Sequence, residues 1–125
     1  PAGGTPPPLD LAILAAYVGE DAEVMQEFTE RFIPSARKAL ADFAEGSAAG
    51  DGQAIADTAH RFKSVASYLG AAPLVELCKR FEAAGRGGDL AAIHTLLPEF
   101  ASAVDDADAY LSGQLGTPDH PDPAT

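Results

Sequence analysis

Apolar residues recur at spacings of three and four along most of the chain, which is the pattern of amphipathic α-helices. The longest such stripe follows Asp21, a residue type that caps helices, and runs to about Glu45. Pro34 lies inside the stripe, and we expect it to bend the helix. Residues 46–52 are predicted to form the loop that follows. The apolar positions of the stripe are Val24, Met25, Phe28, Phe32, Ala36, Leu40 and Phe43.

The same spacing predicts a short helix before this one and a longer helix after it. The short helix covers about residues 9–18 and stops at Gly19. The third helix covers about residues 53–69, and Gly70 ends it, because glycine readily adopts the left-handed conformation that closes many helices. The apolar positions of the third helix are Ile55, Ala59, Phe62, Ala66 and Leu69.

Two more helices complete the prediction. The fourth covers about residues 73–84, has a proline in its first turn and is broken by the glycine-rich residues 85–89. Asp89 caps the fifth helix, in which we expect a kink at Pro98. The apolar positions of the fourth helix are Leu74, Leu77, Cys78 and Phe81, and those of the fifth are Leu90, Ile93, Leu97, Phe100, Val104 and Leu111.

Four long amphipathic helices with short connections predict an all-α fold, an antiparallel up-down four-helix bundle with an additional short N-terminal helix. We assign all six phenylalanines and the single cysteine to its core. The length of 125 residues fits one domain, which we place at residues 9–113. The Pro-rich residues 1–8 are predicted to be a linker and residues 114–125 a disordered tail.

The charge of the chain narrows the choice of partners. A net charge of −11 argues against nucleic acid, because a phosphate backbone requires a basic surface. Residues 53–86 hold five basic and three acidic side chains, so this segment carries +2 and the rest −13. Such a segment fits a docking surface for an acidic partner, and ordinary solvated helix faces explain it equally well. No membrane-spanning run or signal peptide is visible, and we expect a cytoplasmic protein without membrane insertion.

His60 is the candidate for chemistry. It lies two positions before Phe62, so it points roughly 160° away from the apolar stripe of the third helix and should be exposed. A neutral imidazole is a nucleophile that needs no activating base. His94 and His120 are interpreted as ordinary surface residues. The residues that share the face of His60 or lie beside it are Gln53, Asp57, Lys63, Ser64 and Ser67.

The sequence lacks the residues required for metal binding, for a disulfide, for a phosphate-binding loop and for a serine nucleophile. His60 has no second histidine at the spacing of a helical metal site, and one cysteine forms neither a metal cluster nor a disulfide. No glycine-rich phosphate loop precedes a helix, and no strand–turn–helix element presents a serine nucleophile. The remaining interpretation is that His60 accepts a chemical group from a partner protein.

Residues 59–82, AHRFKSVASYLGAAPLVELCKRFE, resemble the signature of histidine-containing phosphotransfer (Hpt) domains. The upstream stretch VGEDAEVMQEFTERFIPSARKAL is similar to the second helix of that family, so the resemblance covers roughly residues 9–111. One departure is Ser64, where the family usually has glycine. The matching positions are His60, Phe62, Lys63, Leu69, Gly70, Ala71, Leu74, Leu77, Cys78 and Glu82.

The resemblance implies a phosphoryl carrier. His60 would accept a phosphoryl group from the aspartate of a response-regulator receiver domain and pass it to another receiver, with Lys63 offsetting charge on the phosphoryl oxygens. The domain would need no cofactor, since the receiver would supply Mg²⁺. Receivers are the implied partners, with a hybrid histidine kinase as a further candidate, and the domain would act as a monomer without ATP-dependent kinase activity. The implied contact surface is Gln53, Asp57, Arg61, Ser64, Ser67 and Tyr68.

Two alternatives stay open at this point. The bundle could be a non-catalytic adaptor that binds a receiver or another protein, an interpretation that the departure at Ser64 motivates. It could also be the substrate domain of a chemotaxis-type histidine kinase, phosphorylated by a neighbouring catalytic domain. The sequence names neither the receivers it serves nor the direction of phosphoryl flow.

Overall fold

The computed structural model describes residues 8–114 and contains five helices within that range. In ring order, α2, α3, α4 and α5 each pack against the next, and α5 packs back against α2, while α1 packs against α2 and α3. The predicted all-α bundle with a short N-terminal helix is confirmed. The helices are α1 (Leu11–Val18), α2 (Ala22–Ala49), α3 (Gly52–Tyr68), α4 (Ala72–Gly87) and α5 (Leu90–Gln114).

Aspartate side chains cap most of the helices at their N-termini. The carboxylate of Asp21 accepts from the backbone N–H of Glu23 at 2.9 Å, and that of Asp89 accepts from Ala92 at 3.1 Å, as the sequence predicted. Asp10 and Asp51 cap α1 and α3 in the same way. Each cap satisfies backbone N–H groups that have no partner inside the helix. α4 lacks a side-chain cap and begins instead with proline in its first turn.

The core is built around stacked phenylalanine rings from α2, α4 and α5. Phe43 and Phe81 stack with centroids 3.9 Å apart, and Phe100 meets Phe43 edge-on at 5.2 Å. Five of the six phenylalanines are buried as predicted. The assignment of Phe28 to the core was wrong, because the residue is 40% exposed and lies at the rim of the α2–α3 groove, which Val65 also lines.

Two predicted helix ends were wrong, and close packing explains both. α2 continues past Glu45 to Ala49, since Gly46 is buried where a Cβ would lie 2.8 Å from Ile55 Cγ1. α4 continues through Gly85, where a Cβ would lie 2.5 Å from the carbonyl oxygen of Gly52. Glycine costs about 1 kcal/mol in a helix. Here it allows two helices to approach more closely than any other residue would.

The turn after α3 also holds α1. Gly70 has a left-handed φ of 61°, and a Cβ there would lie 2.8 Å from Asp10. The backbone N–H of Asp10 donates to the carbonyl of Leu69 at 3.0 Å. Gly70 therefore ends α3 as predicted and leaves room for the chain entering α1.

The predictions for the two termini and for the two prolines are not tested by the described residues. The predicted linker and tail fall almost entirely in residues 1–7 and 115–125, outside the described residues. α2 and α5 continue through Pro34 and Pro98, and the bends expected there stay predictions. Within residues 8–114, none of the helices combines the length and the apolar character required to cross a lipid bilayer.

Candidate functional site

His60 lies in the middle of α3 and faces outward. Its side chain is 67% exposed, whereas the preceding Ala59 is fully buried against the core. The helical period explains the contrast, because neighbouring residues point about 100° apart. The predicted exposure of His60 is confirmed: its backbone lies within α3, and its side chain is accessible.

Glu82 on α4 is the central group beneath His60. Its side chain is only 10% exposed, and its carboxylate accepts a hydrogen bond from Lys63 Nζ at 3.1 Å. Arg86 contacts the other carboxylate oxygen at 2.7 Å, and His60 Nδ1 lies 3.3 Å from that same oxygen. The hydrogen bond from Lys63 lowers the pKa of Glu82, helped by the charges of Arg86 and Lys63 and opposed by desolvation. Glu82 is therefore an ionised carboxylate that three basic side chains surround.

This contact distinguishes the two nitrogens of the His60 ring. The carboxylate of Glu82 faces Nδ1, so a proton on Nδ1 is favoured and the tautomer is assigned from that contact. Nε2 lies on the opposite side of the imidazole and then carries the lone pair. The arrangement gives His60 a nucleophilic nitrogen directed away from the bundle.

The predicted surface residues fall into two groups along α3. Ser64, Ser67 and Tyr68 follow His60 and line a cleft between α1, α3 and α4. Ser67 donates its hydroxyl to the carbonyl of Lys63 at 2.9 Å. The volume of this cleft is about 480 Å³, and we call it the lysine cleft; its polar and aromatic lining is Tyr17, Lys63, Ser64, Ser67, Tyr68 and Lys79.

The other predicted surface residues lie on the N-terminal side of His60 or turn toward α2. Gln53 donates a side-chain hydrogen bond to Asp57 at 2.9 Å along the exposed face. Arg61 lies beside Asp42 and Thr58 in the groove between α2 and α3. The structure thus does not gather all six predicted residues into one site, since Arg61 is turned away from the lysine cleft.

Three residues near the site were not predicted from the sequence to have a functional role: Glu82 and Arg86 at His60, and Tyr17 in the lysine cleft. Glu82 occupies a position four residues after buried Cys78, so a carboxylate on the apolar side of α4 was the available signal. A buried carboxylate requires a charged or hydrogen-bonding partner. Arg86 and Tyr17 gave no such signal. Tyr17 on α1 meets Tyr68 edge-on with centroids 4.6 Å apart, a contact that depends on how α1 packs.

Two further groups are ordinary structural residues. Cys78 is fully buried, as predicted, and burial raises the pKa of its thiol to about 12. Its thiol is therefore not reactive at neutral pH. His94 is exposed on α5, whereas His120 lies outside the described residues. Within residues 8–114, no cluster of three or more His, Cys, Asp or Glu side chains is arranged to hold a metal ion.

Comparison with known proteins defines the class of this fold and site. The model of the Hpt domain family matches residues 27–110, which is more than half of the chain. The chain therefore belongs to the Hpt domain family, and it is a histidine phosphotransfer domain of the kind used in two-component phosphorelays.

A solved structure agrees with this assignment. The chain is similar to the crystal structure of histidine-containing phosphotransfer protein B (HptB) from Pseudomonas aeruginosa PAO1, with a TM-score of 0.78 and 25% sequence identity. The similarity covers 89% of this chain and 97% of that one. No curated protein sequence matches the chain. The fold-level prediction and the family resemblance are thus both confirmed.

Proposed function

We propose that His60 is the phosphoryl acceptor of this Hpt domain. It takes the phosphoryl group from the aspartyl phosphate of one receiver domain and returns it to the aspartate of another. The observation that carries the proposal is the position of His60, with its ring exposed and its Nδ1 3.3 Å from the buried carboxylate of Glu82. An exposed histidine without such a contact has no fixed tautomer or ring orientation.

In this domain, the transfer step requires only His60 and Glu82. The lone pair of His60 Nε2 attacks phosphorus in line with its bond to the aspartate oxygen. The N–P bond forms as the P–O bond breaks, and aspartate leaves as a carboxylate. Because Nδ1 keeps its proton, the ring gains positive charge, and Glu82 stabilises that charge through the same contact. The return step reverses these bond changes.

Lys63 offsets the negative charge of the transferring group. Its ammonium lies one helical turn from His60, is 30% exposed and donates to Glu82. An ammonium has three donors, so Lys63 can contact a phosphoryl oxygen while Glu82 holds it. Glu82 therefore positions both the nucleophile and the neighbouring cation. We expect the receiver to supply Mg²⁺ and this domain to need no cofactor of its own.

The docking surface extends from His60 over the neighbouring exposed residues. Ser64, Ser67 and Tyr68 lie on the C-terminal side, and Gln53 and Asp57 lie on the N-terminal side. The exposed rings of Tyr17 and Tyr68 add apolar area of the kind that protein partners cover.

We expect receiver domains, including that of a hybrid histidine kinase, to dock on this surface. The domain then acts as a cytoplasmic monomer, in which His60 is accessible to one receiver at a time.

The experiment mixes the protein with a panel of phosphorylated receivers and Mg²⁺ and measures acid-labile, base-stable phosphate on this chain. His60→Gln should abolish labelling, because no other histidine within residues 8–114 contacts a carboxylate. His94→Gln is the matched control, since it removes an exposed histidine on α5 and should leave labelling unchanged.

Three results would contradict the proposal. Labelling that persists in His60→Gln places the phosphoryl group on another residue. Receiver binding without any labelling of the wild type favours a non-catalytic adaptor. Labelling that requires ATP and a separate kinase catalytic domain favours the substrate domain of a chemotaxis-type kinase.

A further inference from the structure

The lysine cleft lies directly beside the proposed phosphoryl acceptor and has a distinct charge. Lys63 and Lys79 both line it, and none of its lining residues within 8–114 is Asp or Glu. The chain as a whole carries a net charge of −11, whereas the charged residues that line this opening are both lysines. A second cavity, of about 460 Å³ and lined by α2 and the N-terminal half of α3, is mostly acidic. Its charged lining is Asp42, Glu45, Asp51, Asp57 and Arg61.

The two lysines of the cleft differ in their exposure and in the carboxylate with which each is paired. Lys63 donates to the buried Glu82, and its side chain is only 30% exposed. Lys79 pairs with Glu76 at 3.2 Å, and these two side chains are 57% and 61% exposed. Because exposed ion pairs contribute little to stability, Lys79 can exchange Glu76 for a carboxylate of a partner at small cost. Lys79 is therefore the cation available for recognition.

The remaining lining provides a hydrogen-bond donor and apolar walls. The hydroxyl of Ser67 is engaged by the carbonyl of Lys63, whereas the hydroxyl of Ser64 has no partner within residues 8–114. Tyr17 and Tyr68 form the wall on the α1 side through their edge-to-face contact. A carboxylate that entered between Lys79 and Ser64 would meet one cation and one free hydroxyl.

We propose that the lysine cleft is a specificity site that receives one acidic side chain, Asp or Glu, of the receiver that exchanges phosphoryl groups with His60. This proposal rests on the proposed function, because docking at His60 is what brings the receiver to the cleft. Receivers that bind Mg²⁺ and a phosphoryl group present carboxylates around that pocket, so their surface complements the cleft in charge. Ser64 lies one turn beyond His60, which places the partner carboxylate roughly 5–10 Å from the phosphoryl group.

The test compares charge reversal at two adjacent basic residues of α4. Lys79→Glu places a like charge opposite the partner carboxylate and should lower kcat/KM for transfer at least about tenfold, mainly through KM. The transfer rate of this variant should also depend less on ionic strength. Arg80→Glu is the matched control, because it makes the same charge change at similar exposure but faces Glu99 on α5. Its effect should stay within about twofold.

A charge swap identifies the occupant. Single acidic-to-Lys variants of the responding receiver are combined with Lys79→Glu, and one of them should restore transfer. Equal losses in Lys79→Glu and Arg80→Glu, or no restoring receiver variant, would overturn the proposal.

Two further measurements separate this proposal from the proposed function. The lifetime of the phosphohistidine without receiver should be the same in wild type and Lys79→Glu, and a shorter lifetime would overturn the docking role of Lys79. Calorimetric titration of the receiver into His60→Gln, with and without Lys79→Glu, tests the cleft even if His60 is not the acceptor. Weaker binding in the double variant supports the cleft, and unchanged binding overturns it.

Discussion

Two helix–helix interfaces of the bundle, which we call the α3–α4 seam and the α2–α5 seam, are held together by different contacts. Between α3 and α4, Gly52 and Gly85 bring the backbones into contact, and Glu82 is surrounded by basic side chains. Between α2 and α5, Arg37 reaches across the surface to Asp105 at 3.2 Å and to Asp108 at 3.1 Å. The first seam fixes backbone separation, whereas the second depends on long exposed side chains.

The difference follows from what each seam must position. His60 and Glu82 belong to different helices, so their 3.3 Å contact exists only if α3 and α4 keep one separation and register. Glycine at the contact leaves no side chain that could adjust, and the separation is therefore fixed by backbone atoms. The α2–α5 seam carries no proposed chemistry, and surface ion pairs tolerate small movements there.

The largest effect is expected from Gly85→Ala, which breaks the α3–α4 contact. A Cβ at Gly85 would lie 2.5 Å from the Gly52 carbonyl oxygen and 3.0 Å from the Ala56 nitrogen. Backbone atoms cannot rotate away, so the helices must separate, and we expect a loss of about 3 kcal/mol in the free energy of unfolding by urea.

Gly87→Ala is the matched control on the same helix. Nothing lies within 4 Å of a Cβ at Gly87, so the substitution should stabilise the domain by up to about 1 kcal/mol through helix propensity. Equal effects of the two substitutions would contradict the role of Gly85 in setting the seam.

An intermediate effect on stability is expected from Glu82→Gln, which keeps the size of the side chain and removes the negative charge of Glu82. Lys63 holds the pKa of Glu82 below its ordinary value of 4.5. A lowered folded-state pKa gives stability that is complete above the unfolded-state value and is lost as pH falls through the folded-state value. The Tm of wild type should therefore exceed that of Glu82→Gln at neutral pH, and the difference should shrink below about pH 4.5.

The same substitution should also slow phosphotransfer, because His60 loses the carboxylate that orients its ring. Glu99→Gln, at an exposed residue paired with Arg80 at 3.8 Å, is the control and should change neither property. A Tm difference that is constant from pH 7 to pH 3 would argue against an ionised Glu82.

The smallest effect is expected from Arg37→Ala at the α2–α5 seam. The hydrogen bonds to Asp108 and Asp105 raise the pKa of the Arg37 guanidinium, yet its side chain is 46% exposed. We expect a loss below about 1 kcal/mol by urea unfolding, reduced further at high salt, with phosphotransfer unchanged.

Arg31→Ala removes a pair with Glu27 inside α2 and serves as the comparison, with an expected loss of about 0.3 kcal/mol. A loss at Arg37 as large as that at Gly85 would mean that both seams are equally constrained.

Local patterns in the sequence predicted most of the fold. The caps at Asp21 and Asp89, the apolar stripes and the exposure of His60 all depend on residues within a few positions of one another. The ends of α2 and α4 could not be predicted, because the favourable role of Gly46 and Gly85 depends on which helix approaches them.

The candidate site was predicted only in part, for the same reason. His60 and Lys63 share one helix face, so their proximity follows from spacing alone. Glu82 lies 19 residues beyond Lys63 and Tyr17 lies on α1, so their contacts with the site require the packed bundle. The error at Phe28 has the same origin, because its position in an apolar stripe does not reveal that it lies at the exposed rim of the α2–α3 groove.

The turn at Gly70 bears on how members of this family are recognised from sequence. Leu69 and Ala71 are buried, and Gly70 leaves the space that Asp10 occupies as the chain enters α1. We therefore attribute the Leu-Gly-Ala motif to packing and give it no role in the chemistry proposed at His60. A homologue that had lost its histidine would retain this motif, so database searches weighted toward it would also collect inactive relatives. Finding the motif in a distant relative therefore indicates the fold, whereas phosphotransfer by that relative has to be tested at the positions proposed here to act, His60 and Lys63.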